Sequence, residues 1–240
     1  MHDTAMLYGS AFFKTYLPDA KRLTILDIGA QDVYGSLRSI APAGNNFIGV
    51  DFVSGKGVDV ILTDPYRLPF EDESVDVILS SSCFEHSEFF WLLFLEIQRI
   101  LRPTGLFYLN VPSNGAFHRY PVDCWRFYPD SGRALERWAR RNGYQTAMLE
   151  SFTGTQSKDI WNDFVAVFVK DAHEAAPYPN RMLSRLRHTN GQTADGDELS
   201  HFEFYPEDYR RRASYRLQRF ISLPARAMNY WRRKQRVAHR

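Results

Sequence analysis

The chain has 240 residues, of which 44% are apolar and 15% aromatic, and its formal net charge is +2. That is enough apolar material for one α/β domain with a sizeable core plus an appendage. Two cysteines, Cys83 and Cys124, are too few for a disulfide framework, and the longest apolar run, Phe89 to Leu95, is too short to span a bilayer.

The N-terminal stretch carries Asp3 and has no long apolar region, so no signal peptide is expected and a soluble, cytoplasmic protein is. The charge is uneven. Residues 1–170 hold 16 Lys and Arg against 20 Asp and Glu, whereas residues 205–240 hold 11 against 2. A mildly acidic body and a strongly basic tail are separate problems.

In chain order, residues 4–17 predict a short helix that Pro18 and Asp19 end. Leu23 to Ile28 is a continuous apolar run, the pattern of a buried parallel strand. Ser36 to Ile40 opens a helix that Pro42 and Gly44 stop. Asn46 to Asp51, Val58 to Leu62 and Val75 to Ser80 read as three further strands, and Glu88 to Leu101 has helical spacing. Leu106 to Val111 is a fifth strand, and Ser131 to Asn142 a helix stopped by Gly143. Tyr144 to Ser151 and Asp163 to Lys170 follow with no helix between them, which predicts an antiparallel pair at the sheet edge. Strands alternating with helices imply an α/β fold, a parallel sheet with helices on both faces. Ligands of such sheets sit at the carboxyl ends of the strands. The expected divisions are residues 1–170 as the main domain, 171–204 as a linker or substrate lid, and 205–240 as a basic, helical extension.

The stretch ILDIGAQDVYGS, Ile25 to Ser36, puts Asp27 at a strand end before the small residues Gly29 and Ala30. A ligand can approach such a backbone, although an ordinary strand-to-helix turn would look the same. Asp51 ends the second strand 24 positions later and could accept from both ribose hydroxyls of an adenosine. Asp64, after the third strand, either accepts from an adenine amine or caps the turn at Pro65. The Gly-x-Gly-x-x-Gly spacing of a nicotinamide-binding oxidoreductase is absent.

These stretches resemble the class I S-adenosylmethionine-dependent methyltransferases of the type 11 group. ILDIGAQDVYGS resembles the family's first motif, FIGVD its acidic second strand, and TDPYRLPFEDESVDVILS its third-strand loop and fourth strand. FEHSEFFWLLFLEIQRILRPTGLFYLNVPS resembles the helix and fifth strand that complete the core, so the match covers roughly residues 20–170. Gln31 stands where the family usually has a second glycine. The resemblance implies a Rossmann-like, seven-stranded, mostly parallel sheet with an antiparallel edge strand. It also implies S-adenosylmethionine as cofactor, held by Asp27, Gly29, Ala30, Gln31, Asp51, Phe52, Asp64, Pro65 and Ser82.

The acceptor would meet the loop GAFHRYPVDCWRFYPDSG, Gly115 to Gly132, after the fifth strand. Methyl transfer to oxygen needs an aligned nucleophile and a base for its proton. His118, Asp123 and His86 are the candidate catalytic residues, and Arg119, Tyr120, Trp125 and Arg126 the candidate substrate contacts. Asp123 could instead pair with Arg119 or Arg126, and Trp125 could pack. The loop resembles that of a subset linked to bacterial cell-surface polysaccharides, which implies O-methylation of a sugar hydroxyl on a nucleotide-sugar or glycan. The alternatives are a small-molecule N- or O-methyltransferase and a non-catalytic binding module. No His, Cys or Asp spacing marks a metal site. Nucleic acid is not an expected partner, because the body is acidic and NVPS follows the fifth strand. The basic tail could pack on the body as a helical cap, lie on an anionic membrane surface, or bind nucleic acid or a phosphorylated glycan carrier.

Overall fold

The computed structural model describes residues 3–158 and 160–203, so the basic tail expected over 205–240 lies outside the described residues. Residues 1–202 cluster as one unit. Its strands are β1 (Thr24–Ile28), β2 (Asn46–Asp51), β3 (Val60–Ile61), β4 (Val75–Ser81), β5 (Leu101–Pro112), β6 (Ala147–Gly154), β7 (Asp163–Val169) and β8 (His188–Thr193). Its helices are α1 (Asp3–Tyr16), α2 (Phe90–Ile100) and α3 (Ser131–Arg141).

The strands form one eight-stranded sheet in the order β3-β2-β1-β4-β5-β7-β6-β8. The first five are parallel to their neighbours, and β7, β6 and β8 are added antiparallel. The continuous apolar runs take the central positions because both faces of those strands are covered; every residue of β7 is buried. On one face, α1 lays Tyr8, Phe12 and Tyr16, spaced by one helical turn, over Tyr108, Val165 and Val167. On the other face, α2 and α3 cover Ile78, Phe107, Leu109 and Phe168 with Phe94, Ile97 and Leu135. The strand order reverses between β1 and β4, so the ligand crevice of this topology lies beyond their carboxyl ends.

Four expectations need correction. The sheet has eight strands, not seven, and β7 inserts between β5 and β6 instead of closing the edge. The additional edge strand, β8, lies within the segment expected to be a linker or lid. HTNGQT has no apolar alternation, and it pairs with β6 through backbone hydrogen bonds. The helix expected from Ser36 is a single 3-10 turn over Leu37–Ile40, capped by the Ser36 hydroxyl. The third strand shrinks to Val60–Ile61, which pairs only with the end of β2.

Candidate active site

The turn after β1 is built by backbone contacts. Gly29 has φ +80, and a Cβ there would meet Cys83 Cβ at 2.8 Å. Its glycine is therefore required by the left-handed backbone and by the chain leaving β4. The amides of Gly29 and Ala30 donate to Val50 O at the end of β2. Gln31, in the place of the expected glycine, donates its N–H to Asp51 Oδ2 at 3.3 Å, and Val53 N–H donates to Oδ1 at 3.2 Å. Asp32 holds the turn from the other side, paired with Lys56 at 2.5 Å and accepting from Gly35 N–H.

Two acids are enclosed here. Asp27 is 3% exposed and Asp51 7%. Burial, with the like charge of Asp51 adding and Arg38 opposing, pushes the Asp27 carboxyl up to about 7. Phe52 and Val53, which follow Asp51, and Val33 and Tyr34, which follow the first turn, expose large apolar side chains. Asp64 is exposed and accepts from Tyr66 N–H at 2.8 Å, so it caps the turn at Pro65.

At the carboxyl ends of β4 and β5 a series of polar atoms is buried without hydrogen-bond partners: the hydroxyls of Ser81 and Ser82, Asn110 Oδ1 and Glu85 Oε2. Ser82 sits at φ +54, donating its N–H to Asn110 O. Burial pushes the Cys83 thiol up to about 12 and the Glu85 carboxyl to about 8; Asp163 and Asp123 add to the Glu85 shift, and Arg126 opposes it. Glu85 is 1% exposed.

The acceptor loop is stitched to this same turn. Cys124 N–H and Trp125 N–H both donate to Glu85 O, at 2.8 and 3.2 Å. His86 Nδ1 meets Val122 O at 2.5 Å, and the His86 and His118 rings stand edge to face at 4.9 Å. His118 N–H donates to Asp123 Oδ2 at 2.7 Å, and its Nδ1 lies 3.1 Å from Ala116 O. Arg126 grips both Asp123 oxygens, at 2.6 and 2.9 Å, and also donates to Ala116 O and Trp125 O. Burial opposes ionisation of Asp123, but the Arg126 and His118 N–H donors hold it down to about 2. Gly115 has φ +107, and a Cβ there would strike the Trp161 ring, which itself lies 5.0 Å from the His118 ring.

His86, His118 and Asp123 thus meet in one cluster. Asp123 and Arg126 form the loop's clasp. Trp125 donates to Ser87 O and packs against Phe90 and Trp91, helping to line a cleft of about 250 Å³ with Phe127 and Trp138. Arg119 and Tyr120 are exposed on the loop. No metal cluster was expected from the spacing, yet the fold gathers Glu85, His86 and His118 with ligand atoms within 4.8 Å of one another. Glu85 was not among the expected site residues; its signal was the Glu-His doublet that follows β4.

Residues 11–109 match a family model described as a methyltransferase domain. That stretch runs from within α1 to within β5, the part of the fold that carries the first turn, Asp51 and Glu85. An "uncharacterized methyltransferase" of Mycobacterium marinum is 31% identical over 155 residues, covering 59% of this chain and 60% of that protein. One of Mycobacterium tuberculosis is 29% identical over 154 residues with the same coverage. The chain thus spans about 60% of the length of these relatives. Among solved structures, the Burkholderia thailandensis 1,6-didemethyltoxoflavin-N1-methyltransferase with bound 1,6-didemethyltoxoflavin and S-adenosylhomocysteine shares the fold. It has a TM-score of 0.55 and 19% identity, covering 70% of this chain and 78% of that one. The [4+2]-cyclase SpnF also shares it, with a TM-score of 0.52, 14% identity and coverage of 70% and 81%. A cyclase on the same fold shows that the reaction of this fold must be argued from its site.

The residues present fit the cofactor. Asp51 is the enclosed acid beside the first turn, Phe52 is an apolar side chain next to it, and the buried, partnerless hydroxyl of Ser82 stands just past the end of β4. No described helix is long and apolar enough to cross a membrane.

Proposed function

We propose that this chain transfers the methyl group of S-adenosylmethionine to a hydroxyl of a sugar or glycan. The observation that carries the reading is the stitching of the acceptor loop to Glu85, the turn that also packs Cys83 against Gly29. Cofactor residues and acceptor residues then share one edge of the sheet, as an in-line transfer needs.

Bound there, the cofactor supplies an electrophilic methyl on a sulfonium. Asp51, Phe52 and the Gly29–Gln31 turn would hold it, with the hydroxyl of Ser82 nearby. A carbonyl oxygen only accepts hydrogen bonds, so the Nδ1 atoms of His86 and His118, each against a carbonyl, carry their protons. In the neutral imidazole this leaves Nε2 as the basic atom. Nε2 of one imidazole would take the proton of the acceptor hydroxyl. Desolvation lowers the His86 pKa, which keeps that imidazole neutral and competent. The aromatic cleft beside Trp125 supports a ring-shaped acceptor, whose apolar face it could cover. The basic tail supports peripheral association with an anionic membrane, where glycan carriers reside.

The test is incubation with S-adenosylmethionine and a panel of nucleotide-sugars, glycans and planar nitrogen heterocycles, read by intact mass. A one-methyl gain on a sugar is expected, and methylation confined to heterocycles would replace the acceptor assignment. Asp51→Ala should weaken S-adenosylhomocysteine binding by at least about tenfold in calorimetry, the loss of roughly one charge-assisted hydrogen bond. Unchanged affinity would remove Asp51 from the cofactor site.

A further inference from the structure

We infer that Glu85, His86 and His118 form a binding site for one divalent first-row transition-metal ion. The three can bring ligand atoms within 4.8 Å of one another, and Glu85 Oε1 lies 3.7 Å from His86 Nε2. The second Glu85 oxygen is buried with no hydrogen-bond partner. An enclosed carboxyl oxygen without a partner is costly, and a cation that displaces the acid's proton would supply one.

The surroundings are those of a prepared ligand set. Metal-bound histidines characteristically donate the other ring N–H to a carbonyl or carboxylate, which fixes the tautomer and the ring's aim. Both histidines do so: Nδ1 of His86 on Val122 O, and Nδ1 of His118 on Ala116 O with Asp123 Oδ2 at 3.4 Å. The backbone is also fixed, by Cys124 and Trp125 donating to Glu85 O and by the Asp123–Arg126 clasp. Ligand atoms at about 2 Å from a tetrahedral ion lie about 3.3 Å apart. The widest pair would need to close by about 1.5 Å, within reach of side-chain rotation by the half-buried His118.

Two imidazoles and one carboxylate select Zn²⁺, Fe²⁺ or Co²⁺ over Mg²⁺ or Ca²⁺. Three protein ligands also leave positions open for an exogenous oxygen. If the proposed transfer holds, that oxygen would be the acceptor hydroxyl. An ion there would lower its pKa so that its proton passes to water, and the histidines would serve as ligands in place of taking it directly. Ion binding itself does not depend on that reading.

The test is titration of the full, chelator-treated chain with Co²⁺, followed by visible d–d absorption, together with calorimetry of S-adenosylhomocysteine binding. Wild type should take up one equivalent. His118→Gln and Glu85→Gln should each bind Co²⁺ at least tenfold more weakly with homocysteine-cofactor affinity kept. A His188→Gln/His201→Gln chain, altered in the other histidine pair, should bind Co²⁺ like wild type. If Glu85→Gln does not fold, His118→Gln on the surface loop carries the comparison. Absence of a saturable Co²⁺ band in wild type, or an equal band in His118→Gln, overturns the site. Loss of S-adenosylhomocysteine binding in wild type, with Co²⁺ uptake intact, would overturn the methyltransferase reading alone.

Discussion

Asp123 is a carboxylate that could serve as a base and is instead held as an anchor. Its two oxygens are taken by Arg126, and one also accepts the His118 N–H, so it stays ionised to about pH 2 and has little basicity to lend at neutral pH. Its effect is to fix the backbone that carries His118. Asp123→Asn keeps the shape but removes the charge facing Arg126. Turnover should fall on the order of 10²-fold through misplacement of the reacting groups, with S-adenosylhomocysteine affinity unchanged. Single-turnover kinetics beside calorimetry check this, and wild-type turnover would leave the clasp without a catalytic consequence. At this scale the sequence was legible where a residue acts within its own turn. Asp51 ends β2 as the spacing predicted, and Asp64 caps the turn at Pro65. It was illegible where the role depends on a distant segment. Nothing local tells that Glu85 is enclosed, because the groups that act on its carboxyl, Asp123, Arg126 and Asp163, lie far along the chain. Likewise, Gln31 contributes its backbone N–H to Asp51, which any residue type could supply.

Among the elements, the parallel half of the sheet was legible because buried central strands write themselves as uninterrupted apolar runs. The antiparallel half was less so. Sheet order is not encoded in strand composition, and β8 carries no apolar pattern. It is held by contacts that begin before it: Glu150, fully buried on β6, accepts from Tyr16 OH, Met182 N–H and Leu183 N–H at 2.6–2.9 Å, while Arg181 donates to Leu149 O. A chain ending at Lys170, the boundary expected from composition, loses β8 and two of the three donors to that carboxylate. Leaving a buried charged acceptor short of its hydrogen bonds costs about 1–3 kcal/mol or more, besides the exposed edge of β6. The shortened chain should unfold at a clearly lower urea midpoint than the full chain and should associate in sedimentation. Equal midpoints would make residues 171–203 an accessory to the fold.

For the molecule as a whole, enclosing acids at the strand ends ties stability to pH. Asp27 titrates near 7 in the folded chain, against an ordinary value near 4, because burial and Asp51 disfavour its charge. Between those values the folded state holds a proton that the unfolded state has released, so stability falls as pH rises through that window. Glu85 acts in the same sense up to about pH 8. His86 acts in the opposite sense at the acid end: its lowered pKa contributes stability that is present above about 6.5 and lost as pH falls. Asp123, Asp59 and Asp32, all held below the usual carboxylate range, protect the fold until strongly acid pH. A single melting curve series mixes these contributions, but a difference isolates one of them. The melting temperature of Asp27→Asn minus that of wild type, without cofactor, should rise by several degrees from pH 4 to 7 and level off above it. Calorimetric scans of both chains across pH 4–9 give that difference directly. A flat difference would mean that Asp27 ionises as readily inside the fold as outside, which the enclosed, like-charged setting beside Asp51 does not allow.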